Sequence, residues 1–594
     1  MNTPVRKVYF IIPVLYLILT VFLARMGIEE SSRSFTVTKG PVSVSGSGQE
    51  GLDKNSLSSF IIRLPGIEMD MFDNPVYLAD TSGNRRDIKV TGYSFGTGSL
   101  TVSFTESVRM EFRFDPEEKD TRIVEVSLSV AGEETDGLSA YLPARAKVTM
   151  SQLSYLPAFS FSDREKERLY TFPADSQYDT TAGIISIPLK GGKALFSLYD
   201  TGGTDPVAFY FFGKEGPVGN GDFEAEVESY IADSYNGWRN GRFDSGKGQW
   251  KEPDGFYSFN NSLVTALIAE DLKRGRFADA KKYADVSDNR KDSISFLSAP
   301  FTGRIVITDE KRQVQDDALK KKIAAASKEN DYSVFLENGL IEEMNWISSS
   351  ALYRTFNSFV ASIDLDREFP ASVLTGMIGI YRDAVKGNTD QFHDVLRLYS
   401  VIESKLYPYL RRTGEGLFLI DDGKINMELS LKAGLVLYDI GRMEDNSLMS
   451  SIGRTMVVST LKQSGEDGLI PVYPAGEESF YGGDLFYSDL TENEYCPHVD
   501  IFGDVRIWSA SKDISLKRTE NSYIFEVSFP RGISHHLVIK GVPPFKVLRM
   551  HGIPWNSDRR FQYYTSGWVY NEKTRTLYMK LNQRKSKEQV IIEF

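Results

Sequence analysis

A chain of 594 residues is too long for one hydrophobic core, and 41% apolar, 25% charged and 12% aromatic residues mark folded globular domains rather than a disordered polymer. The net charge of −12 disfavours nucleic acid, whose phosphates an acidic body repels. The single cysteine, Cys496, excludes an intrachain disulfide, a CxxC redox pair and a sulfur-rich zinc site.

Arg6 and Lys7 precede Val8–Ala24, seventeen uncharged, mostly apolar residues closed by Arg25, Glu29 and Glu30. At about 1.5 Å per residue this run lies near the lower limit for a bilayer span. It is longer than a signal-peptide core and lacks a small-x-small cleavage site, so residues 1–30 read as an uncleaved membrane anchor with a short cytoplasmic tail. Basic residues before the run and acids after it place the remaining chain outside the cytoplasm, periplasmic or at the cell surface.

From 35 to 215 short alternating runs such as "RIVEVSLSVAG" and "GIISIPLKGGKALFSLYD" are broken by turn residues about every ten positions, the pattern of an antiparallel β-sandwich. Residues 216–257, rich in glycine, aromatics and acids, read as a linker that becomes a structured loop. From 258 to 465 apolar residues recur at three- and four-residue intervals, predicting helices. A faint repeat, "SLVTALI" at Ser262, "SVLTGMI" at Ser372 and "SLKAGLV" at Ser430, sets small residues where helix backbones can approach closely. Its spacing fits helical hairpins arranged as a toroid that could be incomplete. Residues 466–500 form a loop-rich joint, and 501–594 return to period two as a second β-sandwich. That tail is basic, with sixteen Lys or Arg against eight Asp or Glu. The fold class is therefore multidomain α+β: anchor helix, β-sandwich, α-helical hairpin toroid, C-terminal β-sandwich.

The stretch "NEYCPHVDIFGD", residues 493–504, gathers Cys496, His498 and several acids where helices give way to strands. Cys496 and His498 supply at most two of the ligands a zinc site needs, so the stretch reads as a domain joint, and no metal or cofactor is expected. No Ser–His–Asp grouping or phosphate loop occurs. Carboxylates and aromatics in loops remain. If the helices alternate inner and outer around a ring, the segments entering the inner helices share one rim. That rim concentrates Asp254, Glu342, Glu343, Asp421, Asp422, Glu428 and Asp484 beside Trp250, Trp346 and tyrosines including Tyr481. Flat rings stack on sugars, and paired carboxylates supply the acid and base of glycosidic cleavage. Glu342 or Glu343 is the expected general acid and Asp254 its partner. Trp250, Trp346, Asp421, Asp422, Glu428 and Tyr481 are the expected substrate contacts. The competing reading is that the acids cap helices and the rings fill loop cores.

The order sandwich, helical toroid, sandwich resembles that of carbohydrate-active enzymes built on an (α/α) barrel. The closing "YTSGWVYNEKTRTLYMKLNQRKSKEQVIIEF" is similar to the last hairpin and strand of glycosidase C-terminal β-domains. The resemblance implies a glycoside hydrolase or related enzyme but carries no catalytic residue across, since no family catalytic motif is present. The expected partner is a glycan or anionic envelope polymer, bound and open to hydrolysis in an acidic, aromatic cleft. The alternative is a non-catalytic envelope scaffold, since "AEDLKRGRFADAKKYA" is similar to a tetratricopeptide helix-turn-helix.

Overall fold

The computed structural model describes residues 13–21, 33–48, 57–74, 76–115, 122–131, 137–163, 166–252, 255–288, 297–387, 389–474, 476 and 478–594. Residues 13–21 are helical, while the rest of the predicted anchor lies outside the described residues. Among the described residues no helix is long and apolar enough to cross a membrane. The chain forms two compact units, 1–216 and 217–594.

The first unit is built from antiparallel strands in sheets of five, eight and five strands. Alternation does the sorting: in Leu57–Leu64 the side chains of Phe60, Ile62 and Leu64 are buried while their neighbours reach the surface. Val44 and Phe60 from one sheet, Val102 and Phe112 from the eight-stranded sheet, and Leu142 and Ile185 from the third share one core. Helix α1 (Pro206–Phe212) closes the unit, capped by Asp205.

The second unit begins with a departure from expectation. Residues 216–257 carry α2 (Asn220–Asn236), running on into a π-turn, Gly237–Arg242, and a small three-stranded sheet. Phe223, Val227, Tyr230, Ile231 and Tyr235 form its buried face, a helical spacing hidden among seven acidic and amide residues. The helical region continues with α3 (Asn261–Lys273), α4 (Phe277–Asp288), α5 (Ile305–Glu329), α6 (Leu340–Ile347), α7 (Ser350–Ser362), α8 (Ala371–Gly387), α9 (Met427–Met443), α10 (Ser447–Leu461) and α11 (Gly482–Leu490). Asn260, Ser349, Asn426 and Asn446 cap α3, α7, α9 and α10 by accepting a backbone N–H. The run after Thr389 departs from an α-helix, winding instead as short 3₁₀ and π turns up to Tyr409 that still bury Val395, Leu398, Ile402 and Leu406.

The small residues of the repeat do what their spacing predicts. A Cβ at Gly376 would lie 2.3 Å from the carbonyl oxygen of Phe335, and one at Gly434 would lie 3.1 Å from that of Gly453 on α10. The C-terminal sandwich pairs two five-stranded antiparallel sheets, starting at His498. Val505, Ile507, Leu537, Met579, Phe525, Val527 and Ile592 fill the space between them. The closing segment forms the hairpin Gly567–Asn571 with Thr576–Asn582, and Lys587–Glu593 pairs into the opposite sheet. His535 and His536 are buried there, and burial pulls each imidazole down to about 3, so both are neutral core residues.

Candidate functional site

Most of the predicted contacts lie elsewhere than a sugar-binding rim. Trp250 has no exposed surface; its Nε1 donates to the carbonyl of Trp238 at 2.9 Å and its ring packs on Phe243, Phe259 and Tyr283. Trp346 is equally buried, with the Arg312 guanidinium 4.5 Å and the Lys540 ammonium 4.0 Å from its ring. Neither indole has a free face for a glycan, because a large apolar ring gains most by leaving water altogether. Asp421 and Asp422 belong to a tight hairpin: Asp421 pairs with Lys424, while Asp422 and Gly423 turn the chain with φ of 47° and 73°. Two consecutive left-handed residues make the type I′ turn that Asp-Gly favours. Glu428 is exposed in the first turn of α9, where a carboxylate complements the helix dipole. Asp254 and the Tyr481 side chain lie outside the described residues.

The two glutamates of α6 diverge. Glu343 grips Arg312 through two hydrogen bonds of 2.7 and 3.2 Å, which occupies its carboxylate. Glu342 is exposed to solvent yet ringed by protein, the situation of a group on the wall of a recess. Desolvation raises its carboxyl above the usual range; Arg312 and His498 oppose the rise, and Glu343 and Asp383 add to it.

Glu342 borders a charged cluster where α8, α9 and α11 converge. Arg382 on α8 keeps only 12% of its side chain exposed. Its Nε donates to Asp383 Oδ1 at 2.8 Å, and its Nη1 lies 3.6 Å from Asp439 on α9 and 3.3 Å from Asp489 on α11. Burial alone would pull the guanidinium pKa down, but these carboxylates together hold it well above its ordinary value. One turn along α8, Lys386 reaches Asp439 at 2.5 Å. Lys432 on α9 donates to Asn338 at 2.9 Å, and burial, with Arg382 nearby, lowers its pKa.

His498, at the start of the first C-terminal strand, donates from Nδ1 to the carbonyl of Cys496 at 2.9 Å, and its Nε2 is 3.4 Å from Asp500. Burial pulls the imidazole down, but Asp500 and the Cys496 carbonyl outweigh it and the pKa rises to about 9. At neutral pH it is an imidazolium whose charge reaches Glu342. Cys496 is no nucleophile, because burial pushes its thiol up to about 12. It should therefore resist alkylation by iodoacetamide at pH 8 in the native protein and react once unfolded; rapid native labelling would contradict its placement.

Asp484, in the first turn of α11, is 8% exposed and accepts from Asn260 Nδ2 at 3.0 Å. Burial pushes its carboxyl up to about 7. Folding thus favours the protonated form, so native stability falls as pH climbs from about 4 to about 7. The neutral isostere Asp484→Asn should exceed the wild type by about 2 kcal/mol at pH 8 and match it near pH 4, read from urea midpoints. An offset equal at both pH values would show a carboxyl that titrates normally.

The cluster residues sit inside helices, not in rim loops, and sequence reading passed them over. Their signal was a charge lodged in an otherwise apolar helix directly after, or two positions after, a tyrosine: Tyr381-Arg382, Tyr438-Asp439 and Tyr487-Ser488-Asp489. Together they offer cations for anionic groups, carboxylates that accept from hydroxyls, and one accessible carboxyl, Glu342, whose proton is held more tightly than an ordinary glutamate's.

No protein-family model matches the chain, and no curated protein matches it in sequence. Among the solved structures to which the chain shows a distant similarity are three carbohydrate-active enzymes. A polysaccharide lyase is 11% identical with a TM-score of 0.30, covering 76% of this chain and 99% of that one. A glycoside hydrolase family 81 enzyme from Clostridium thermocellum is 10% identical with a TM-score of 0.17, covering 86% and 91%. A GH31 dextranase from Flavobacterium johnsoniae is 9% identical with a TM-score of 0.16, covering 95% and 99%. At these values the likeness assigns neither a family nor an activity.

Proposed function

We propose that this chain is an exported, membrane-anchored protein that binds an anionic glycan at the cluster between α6, α8, α9 and α11 and hydrolyses it there. The observation that carries the reading is Glu342: a carboxyl open to solvent, raised by desolvation, and facing the His498 imidazolium and the Arg382–Asp383 pair. A carboxyl raised in this way holds its proton to higher pH than an ordinary glutamate and can deliver it to a glycosidic oxygen. Asp383, bonded to Arg382 and in electrostatic reach of Glu342, replaces Asp254 as the partner carboxylate that activates water or attacks the sugar. Glu343 takes no part, since Arg312 holds it. Lys386, Lys432 and His498 supply the positive charge for an acidic polymer, with Asp439 and Asp489 accepting from its hydroxyls.

The test is a glycan array that compares uronate-containing and neutral polymers, probed with the wild-type chain and with Lys386→Ala. Lys386 is exposed, so the variant keeps its fold. Binding should favour the acidic glycans and weaken about 10-fold in the variant, the effect of one charge-assisted contact. Absence of glycan binding would sink the reading and leave the non-catalytic scaffold, for which the mutual pairing of Arg382 with its carboxylates would then be purely structural.

A further inference from the structure

Where the helical region meets the C-terminal sandwich, α5 and α6 face the strands Val505–Ser509 and Ser534–Lys540 across a cavity of about 420 Å³. Asp316 and Lys320 of α5, Trp346 of α6, and Arg506, Lys540 and Arg575 of the sandwich line it. Trp346, Trp508 and Tyr578 make the apolar part of this junction. The junction is otherwise well bonded: Tyr578 donates to Asp309 at 2.7 Å, and Lys540 lies 3.4 Å from the same carboxylate.

Against that background two buried polar atoms stand out. Asp316 is 7% exposed and Trp346 fully buried, yet Asp316 Oδ1 and Trp346 Nε1 have no hydrogen-bond partner among the described residues. A buried acceptor or donor left unmade costs about 1–3 kcal/mol, and two on one cavity wall ask for an occupant that bonds both. Around them the charge is lopsided. Lys320, Arg506, Lys540 and Arg575 line the cavity against two carboxylates, Asp316 and Asp504; Asp504 is paired with Arg518 and Lys320 with Asp317, while the guanidinium groups of Arg506 and Arg575 make no ion pair among the described residues. Arg506 spends one donor on the Trp346 carbonyl, at 3.2 Å. The volume suits one small polar molecule.

We infer that this cavity is a binding site for a hydroxylated carboxylate of the size of one sugar acid, its carboxylate held by Arg506, Lys540 and Arg575, one hydroxyl donating to Asp316 Oδ1 and another oxygen accepting from Trp346 Nε1. A guanidinium binds a carboxylate in two-pronged fashion, which fixes the ligand's orientation and turns its hydroxyls toward α5. A bare oxyanion satisfies the cations but leaves Asp316 facing another negative charge. A neutral sugar satisfies Asp316 but leaves the guanidinium groups unpaired. Only a molecule with both functions answers both walls. Burial pushes the Asp316 carboxyl up to about 6, so it is largely an acceptor at neutral pH. The site stands apart from the Glu342 cluster in its residues and does not depend on glycan cleavage there.

Isothermal titration of the full chain with glucuronate, glucose and inorganic phosphate tests the inference. Glucuronate should bind, phosphate should bind at least about 10-fold more weakly, and glucose should give no heat. Asp316→Asn should cost glucuronate about 10-fold and leave phosphate unchanged; Arg575→Asn, placed at a turn residue with φ of 51° that asparagine tolerates, should weaken both. Lys517→Ala, an exposed strand residue that lines neither this cavity nor the helical cluster, should change none of these. Glucose binding as tightly as glucuronate would overturn the inference, as would loss of glucuronate in Lys386→Ala without loss in Arg575→Asn. Silence from all three probes would leave the cavity a home for water alone and overturn it equally.

Discussion

Replacing Gly453 with alanine should lower the stability of the second unit by about 3 kcal/mol. The new Cβ would sit 2.3 Å from the Tyr438 amide nitrogen and 2.6 Å from the Gly434 carbonyl oxygen, both backbone atoms of α9. A side chain can rotate out of such a collision, but a helix backbone cannot, so α9 and α10 must separate along a face that buries Leu435, Val436, Met456 and Val457. Alanine's better helix propensity returns about 1 kcal/mol, and the crowding exceeds it. The urea midpoint should fall at unchanged slope. Gly379→Ala on α8 is the control, since its Cβ would meet no atom within 4 Å and should be neutral or stabilising by up to about 1 kcal/mol. A Gly453→Ala protein as stable as the wild type would mean the two helices do not cross where the structure has them.

Glu342→Gln should abolish turnover of whichever acidic glycan the chain binds, by about 10²–10⁴-fold in kcat, while binding changes little. The amide keeps the shape and the hydrogen bonds of the carboxyl but has no proton to give. In the wild type the alkaline limb of kcat/KM should lie above the ordinary glutamate range, because desolvation raises the Glu342 carboxyl, and that limb should vanish in the variant. Glu343→Gln separates chemistry from architecture. It loosens the hold on Arg312, whose side chain is 2% exposed, and should reduce stability while leaving kcat nearly intact. Full activity in Glu342→Gln, or equal losses in both variants, would remove Glu342 from the reaction.

Features with a short period or a short reach were legible in the order of residues alone. Alternation of two marked both strand regions, and spacing of three and four marked α3, α4, α5, α7, α8, α9 and α10, while α6 read as a rim loop, because the pattern that buries one face of an element lies within the element and needs some length to show. The small residues at Gly376 and Gly434 announced close helix packing for the same reason. Two local signals were present but read otherwise: Asp422-Gly423, taken for part of a substrate-binding rim, is a hairpin turn, and the buried face of α2, Phe223, Val227 and Tyr230, lay in a stretch read as a linker.

Company and burial, by contrast, were set by the packing of segments distant along the chain. Trp250 and Trp346 look alike in sequence to rings on a binding rim, but exposure depends on residues far along the chain that pack over them. Arg382, Asp439 and Asp489 come from three helices 57 and 50 positions apart along the chain, and Glu342 and His498 meet across 156 positions. Coulomb energy and desolvation act through space and fall with distance between atoms, not with separation along the chain. A site built from them therefore appears only once the helices are in place.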